Sequence, residues 1–262
     1  MPVAVHNHPL SWYAEKLRSG EPFAYLSYGD GEWLVVTGMR SGATMQAGEV
    51  VTPALEDALR AALDDPDPRL VRGTDPNLIR WRDYKGGDAA GYRELGVKLD
   101  ALLAGYPEME FTDGVVFERA CWEGTLGPLL GALGDREVYL IGNEELHRGL
   151  ERAGAVHPWW SCWVPVEGAA DYCLNTLRNN LPVCDLVGVT GRRPCFVFCC
   201  GLAGSVLARE ALLLNPGCAA LDLGSSLDIF ARIGEQRGWR AELYQDEAKY
   251  RDLVRRNLEG SE

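Results

Sequence analysis

The chain has 262 residues, 47% of them apolar, which is enough for one large α/β domain with a substantial core. A net charge of −12 excludes a broad electrostatic grip on nucleic acid, which needs clustered Lys and Arg against phosphates. No run of about 18 uncharged apolar residues occurs, and residues 1–10 lack a basic-then-apolar leader, so a cytoplasmic (cytosolic) protein without a membrane span is expected.

Leu10, Tyr13, Ala14 and Leu17 recur at helical spacing and Gly20 follows, so the first element reads as a short amphipathic helix. The apolar run 23–26 reads as a buried strand that stops at Tyr28-Gly29-Asp30-Gly31-Glu32. Such a strand delivers two carboxylates to a sheet edge, where open α/β sheets bind their ligands. Asp30 and Glu32 flank one glycine, and in an extended segment both side chains point the same way, close enough for one hard divalent cation, Mg²⁺ or Mn²⁺. The competing reading is a solvated acidic turn, because Asp-Gly is also a hairpin signal. Residues 33–37 fit a helix or a strand, and a helix is the expectation. Thr52 and Pro53 form an N-cap and N1 pair for a helix burying Leu55, Leu59, Ala62 and Leu63, which ends in a loop at 64–68.

Residues 70–72 read as a short strand and 73–77 as a loop. Residues 82–88 read as a surface loop, with a mobile segment over a site as the alternative. A helix over 92–103 carries Leu95, Leu99, Leu102 and Leu103. Val115-Val116-Phe117 reads as a strand with Arg119 at its end, where a guanidinium clamps phosphate or carboxylate; a surface ion pair is the alternative. Then follow a helix over 125–133, a strand over 138–141, a helix over 146–153 and an aromatic strand over 159–164. Trp159, Trp160 and Trp163 could stack on a base or sugar, but aromatic clusters are more often core, and the core is the expectation.

Residues 195–200 form the clearest buried strand, followed by Gly201-Leu202-Ala203-Gly204-Ser205 and a helix over 206–214. A strand-glycine-helix junction lets main-chain N–H groups approach a phosphate, which makes Gly201, Gly204 and Ser205 candidate ligand contacts; glycine there also serves close packing. The next strand, 219–223, holds Asp222 about twenty residues beyond Gly201, a spacing that suits a carboxylate bonded to a ribose. Residues 240–244 read as a strand, and about 245–258 as a charged C-terminal helix. The eight cysteines include no C-x-x-C pair, and the eleven-residue spacing of 162, 173, 184 and 195 is broken by Pro182 and Pro194. Reduced, structural thiols are expected.

Leu26-Ser27-Tyr28-Gly29-Asp30-Gly31-Glu32 resembles the F-S-R-[FY]-G-D-G-E signature of the GT-D glycosyltransferases, a family first catalogued as a domain of unknown function. The resemblance assigns metal and nucleotide-sugar binding to Asp30 and Glu32, with Tyr28, Gly29 and Gly31 around the donor; Ser27 stands where the family has an arginine. Arg119 matches the family's strand-end arginine. The family's Asp-[IL]-Gly-His-[IL]-Asp segment corresponds to Asp222-Leu223-Gly224-Ser225-Ser226-Leu227-Asp228, in which serine replaces histidine. Asp222 and Gly224 then fall in the substrate site, and with the imidazole lost Asp228 becomes the candidate general base, an ordinary helix N-terminal acid being the alternative. The resemblance implies a single Rossmann-like α/β domain over residues 1–262, with a mostly parallel sheet and helices on both faces. It further implies a metal-dependent glycosyltransferase with Mn²⁺ or Mg²⁺ and a nucleotide diphosphate sugar, a UDP-sugar, as donor. The acceptor stays open among glycan, small molecule and modified nucleobase, and a homo-oligomer is allowed. Two rivals stand beside this reading: an S-adenosylmethionine- or dinucleotide-dependent enzyme built on the Gly201 loop, and a non-catalytic nucleotide-sugar-binding domain.

Overall fold

The computed structural model describes residues 4–39, 50–83, 89–182, 191–234 and 238–260. Among them, eight strands form one all-parallel sheet. They are β1 (Ala4–His6), β2 (Phe23–Tyr28), β3 (Leu70–Thr74), β4 (Glu110–Asp113), β5 (Glu137–Gly142), β6 (Trp160–Trp163), β7 (Pro194–Cys199) and β8 (Ala219–Asp222). Their order across the sheet is β1-β4-β3-β2-β8-β7-β5-β6. From β2 the chain steps outward through β3 and β4, then crosses to the far half and returns to pair β8 with the other flank of β2. The order reverses between β2 and β8, and the crevice above their carboxyl ends is the natural ligand position of such a sheet.

Parallel strands are covered on both faces, so their residues alternate between two cores rather than between core and water. Ala24, Leu26, Tyr28, Phe196 and Phe198 face one core, and Phe23, Tyr25, Cys195 and Val197 face the other. The first core lies under α2 (Asp30–Val36), α3 (Pro53–Asp64), α5 (Ala89–Leu103), α9 (Ala169–Tyr172) and α10 (Gly204–Leu214). The second lies under α1 (Leu10–Ser19), α6 (Val116–Glu123), α7 (Gly127–Gly134), α8 (Glu144–Ala153) and α12 (Glu247–Leu258). Local signals place these helices where the sequence puts them. Gly20 ends α1 at φ 76°, and the Thr52 hydroxyl accepts the Leu55 N–H at 3.2 Å to open α3. Leu55, Leu59, Ala62 and Leu63 of α3 are fully buried. Residues 33–37 continue α2 rather than a strand.

Four expectations are corrected. The strand expected over Val115-Val116-Phe117 is the start of α6, whose Val116, Phe117, Ala120 and Cys121 bury one helical face; the strand is the preceding Glu110–Asp113. The strand expected over residues 240–244 belongs to α11 (Gly238–Gln245), because Arg240 is drawn wholly inside by Asp228 and by the Ser225 carbonyl. Gly73 and Thr74 complete β3, and Asp75 caps a helical turn, α4 (Pro76–Ile79), inside the expected 73–77 loop. Trp159 and Trp163 are not core: they are 54% and 59% exposed, because β6 is an edge strand whose alternate residues stay open while Trp160 packs. The described cysteines are free thiols; Cys184 and residues 84–88 of the expected surface loop lie outside the described residues. Among the described residues no helix is long and apolar enough to cross a membrane.

The C-terminal helix is fixed by one buried amide. Asn257, fully buried, accepts the Leu126 N–H at 3.1 Å and donates to the Cys121 carbonyl at 2.7 Å, tying α12 to α6 and α7. Asn257→Ala leaves the buried Leu126 N–H unpaired and the Cys121 carbonyl with the Gly124 N–H alone, and is expected to lower the unfolding free energy by about 1–3 kcal/mol in urea denaturation. A loss below about 0.5 kcal/mol would show that water replaces the amide at no cost.

Candidate functional site at the carboxyl edge of the sheet

Each of the four adjacent strands β4, β3, β2 and β8 ends in or just before a carboxylate: Asp113, Asp75, Asp30 with Glu32, and Asp222. Neighbouring parallel strands stand about 4.8 Å apart, so this order alone gathers five acids along one rim. Their charges reach one another. The Asp75 carboxyl is held above its ordinary value by burial first, then by the charges of Asp30 and Asp113. Asp75 and Asp113 were not singled out from sequence; the available signal was Asp75-Pro76, an N-cap followed by proline at N1.

The G-D-G-E segment forms the β2–α2 turn. Gly29 is the N-cap, Asp30 the first helical residue and Glu32 the third, so the two acids sit about 200° apart around the helix rather than side by side on an extended strand. That corrects the expected side-by-side clamp. Asp30 is exposed, and its Oδ1 accepts the Gly31 N–H at 2.9 Å. Glu32 turns inward and its Oε2 accepts the Gly29 N–H at 2.9 Å. Burial, then the charge of Asp222, then that of Asp30 push the Glu32 carboxyl up to about 8.

Asp222 is 2% exposed and closes the floor of the crevice. The Ser205 hydroxyl lies 2.8 Å from its Oδ2 and 3.0 Å from the Ser27 carbonyl of β2, and the Gly224 N–H donates to its Oδ1 at 3.2 Å. Burial drives its pKa up to about 7 against these hydrogen bonds. The same carboxylate explains Gly204. A Cβ built there would stand 2.3 Å from Asp222 Oδ1, so only glycine lets the start of α10 come this close. The junction Gly201 to Ser205 therefore turns its helix end onto an anion of the chain's own, and Gly201, exposed at φ 65°, is the part left facing outward.

The remaining predicted residues separate into two groups. Arg119 stays at this rim: its Nη1 lies 2.7 Å from Asp113 Oδ2, on α6 rather than on a strand, with the guanidinium 42% exposed. Tyr28 offers no surface. Its ring lies 5.1 Å from that of Trp33 and its hydroxyl donates to the Leu59 carbonyl at 3.0 Å, so only its main chain borders the turn. Asp228 lies on the opposite face of the sheet, where its Oδ2 accepts from the fully buried Arg240 at 2.9 Å. Among the described residues no group of three or more His, Cys, Asp or Glu is arranged to hold a metal ion. One outward carboxylate and one inward carboxylate, both hard oxygen donors, fit Mg²⁺ or Mn²⁺ only when phosphate oxygens and water complete the shell, which is the usual habit of Mg²⁺.

No protein-family model matches the chain, and no similar sequence was found among curated proteins. Solved structures share its fold. One, described as the highly conserved domain of unknown function 1792 with a distinct glycosyltransferase fold, is 15% identical at a TM-score of 0.62 over 93% of this chain and 82% of that one. A selenomethionine-substituted structure of domain of unknown function 1792 gives 14% identity and a TM-score of 0.63, again over 93% and 82%. A structure described as a new glycosyltransferase of this domain from Streptococcus sanguinis gives 16% and 0.58 over 93% and 85%. The chain thus has the fold described for those glycosyltransferases.

The raised carboxyls of Glu32 and Asp222 make stability depend on pH. In the unfolded chain both ionise near 4, whereas in the fold they hold their protons to about 8 and 7. The folded state therefore binds more protons between those limits, and the contribution of this pair falls as pH rises from about 4 to about 8. Between pH 5.5 and 8.5 the wild-type melting temperature is expected to drop more than that of Glu32→Gln, which keeps Asp222 but has no titrating group at position 32. Parallel curves would place Glu32 in ordinary solvent.

Proposed function

We propose that the chain is a metal-dependent glycosyltransferase that transfers a sugar from a nucleotide diphosphate sugar, a UDP-sugar, to an acceptor. The observation that carries this reading is the acidic β2–α2 turn beside Asp222, at the strand-order reversal of a sheet whose fold is described for glycosyltransferases. A rim of acids repels a bare diphosphate, so a donor of that kind needs a divalent cation between. In this reading Asp30 supplies the outward carboxylate for Mn²⁺ or Mg²⁺, and Glu32 the inward one. The ion, when bound, neutralises the charge growing on the departing nucleotide.

The other residues act by holding this turn in place. Asp222 fixes Ser205 and Gly204 beneath the turn, and Ser205 joins α10 to the end of β2 through the Ser27 carbonyl. Gly201, Gly224 and Arg119 line the open rim and are the residues available to the nucleotide or acceptor. With both oxygens engaged and almost no exposed surface, Asp222 is not presented to a ribose hydroxyl, which disfavours the dinucleotide reading of the same loop. Asp228 acts as the counterion of Arg240 rather than as a base.

Two measurements test these assignments. Replacing Asp30 by Asn together with Glu32 by Gln is expected to reduce Mn²⁺-dependent UDP-sugar hydrolysis at least a hundredfold; turnover at the wild-type rate would refute the metal site. Asp228→Asn is expected to cost about 3 kcal/mol of stability by depriving buried Arg240 of its nearest carboxylate, with hydrolysis per folded molecule within twofold of wild type. A hundredfold slower but fully stable variant would restore Asp228 as the base.

A further inference from the structure

Strand β6 closes one side of the sheet, and among the described residues it pairs only with β5. Open edges are usually guarded by charges or proline within the strand; here Trp160-Ser161-Cys162-Trp163 carries neither, and Pro158 and Pro165 stand just outside it. On one face Trp159, Ser161 and Trp163 are all exposed, while Trp160 and Cys162 turn to the core on the other. Val164 gives its N–H to the Gly142 carbonyl while Glu137 of β5 is turned to the β7 side, so the main-chain groups of Trp160 and Cys162 face β5 and those of Ser161 and Trp163 face the open edge.

We propose that this edge is the interface of a homodimer, formed by antiparallel pairing of β6 with β6 of a second copy about a twofold axis at Ser161. The segment Trp159-Trp160-Ser161-Cys162-Trp163 is close to a palindrome, which an isologous contact requires. With Ser161 on the axis, its outward N–H and carbonyl exchange hydrogen bonds with those of Ser161 in the second copy. Trp159 then faces Trp163 of the second copy, and the reverse, as directly opposite aromatic pairs on one face of the joined sheet. The two sheets become one of sixteen strands, both crevices remain open, and four half-exposed indoles leave water together. The four indoles contribute about 400 Å² beside the paired main chains, a small contact that makes the dimer a weak one formed at high protein concentration.

Sedimentation velocity of the full chain from low micromolar to submillimolar concentration is expected to show a monomer–dimer equilibrium. Trp159→Lys with Trp163→Lys, both at exposed positions, should abolish it while leaving circular dichroism and melting temperature unchanged. In a Cys162→Ser background, Ser161→Cys should form an intermolecular disulfide under mild oxidation, because the axis brings the two side chains together, and Glu167→Cys should not. A monomer at every concentration, a dimer that survives the lysine substitutions, or no Ser161→Cys crosslink would each overturn the proposal. So would a monomer whose tryptophan fluorescence is quenched by a neutral oligosaccharide, which would make the face a saccharide platform.

Discussion

One buried carboxylate joins the parts on which the carboxyl edge depends. Asp222 ends β8, rests against Gly204 at the start of α10, and meets Ser205, which reaches the last turn of β2 through the Ser27 carbonyl. A carboxylate with 2% of its surface exposed and no cation among its hydrogen-bond partners favours its protonated form, and its charge in turn raises the Glu32 carboxyl. Evolution tolerates such a cost mainly where a ligand or ion removes it. The two carboxyls hold the β2–α2 turn at its angle, Glu32 through the Gly29 N–H and Asp222 through Ser205.

The sheet order explains why the acids assemble there. Because β2 lies between β3 and β8, residues far apart in the chain share one rim, and Asp30, Asp75 and Asp113 reach the same edge from three consecutive neighbours. Arg119 offsets Asp113 at one end of this row, whereas Asp228 and Arg240 form a separate pair on the other face, locking α11 onto the segment after β8. The two acids of the Asp222 to Asp228 segment thus have different neighbours and different consequences. One faces the crevice floor and the other a helix.

Much of this was legible in the sequence, and the exceptions have physical causes. Buried parallel strands announce themselves as short apolar runs, so β2, β5, β7 and β8 were read directly, and α1 and α3 followed from helical spacing and caps. Val115-Val116-Phe117 misled because β-branched and aromatic residues are favoured in strands, although the buried positions 116, 117, 120 and 121 have helical period. Arg240 misled because a fully buried arginine is rare without a partner that only tertiary structure supplies. Trp159 and Trp163 misled because hydrophobicity does not tell an edge strand from a central one. G-D-G-E marked the turn after β2, but the direction of each acid depended on whether that turn opened a helix, and the partnership of Glu32 with Asp222 spans most of the chain.

The central claim of the proposed function is that Glu32, whose carboxyl burial and Asp222 raise, joins Asp30 in taking a cation that carries the donor diphosphate. Carboxyl-carbon NMR titration of the free protein and of its complex with UDP and Mg²⁺ tests it most directly. The account predicts protonation midpoints near 8 and 7 in the free protein, falling by more than a unit when both ligands are added. Midpoints near 4 in the free protein, unmoved by UDP and Mg²⁺, would contradict it.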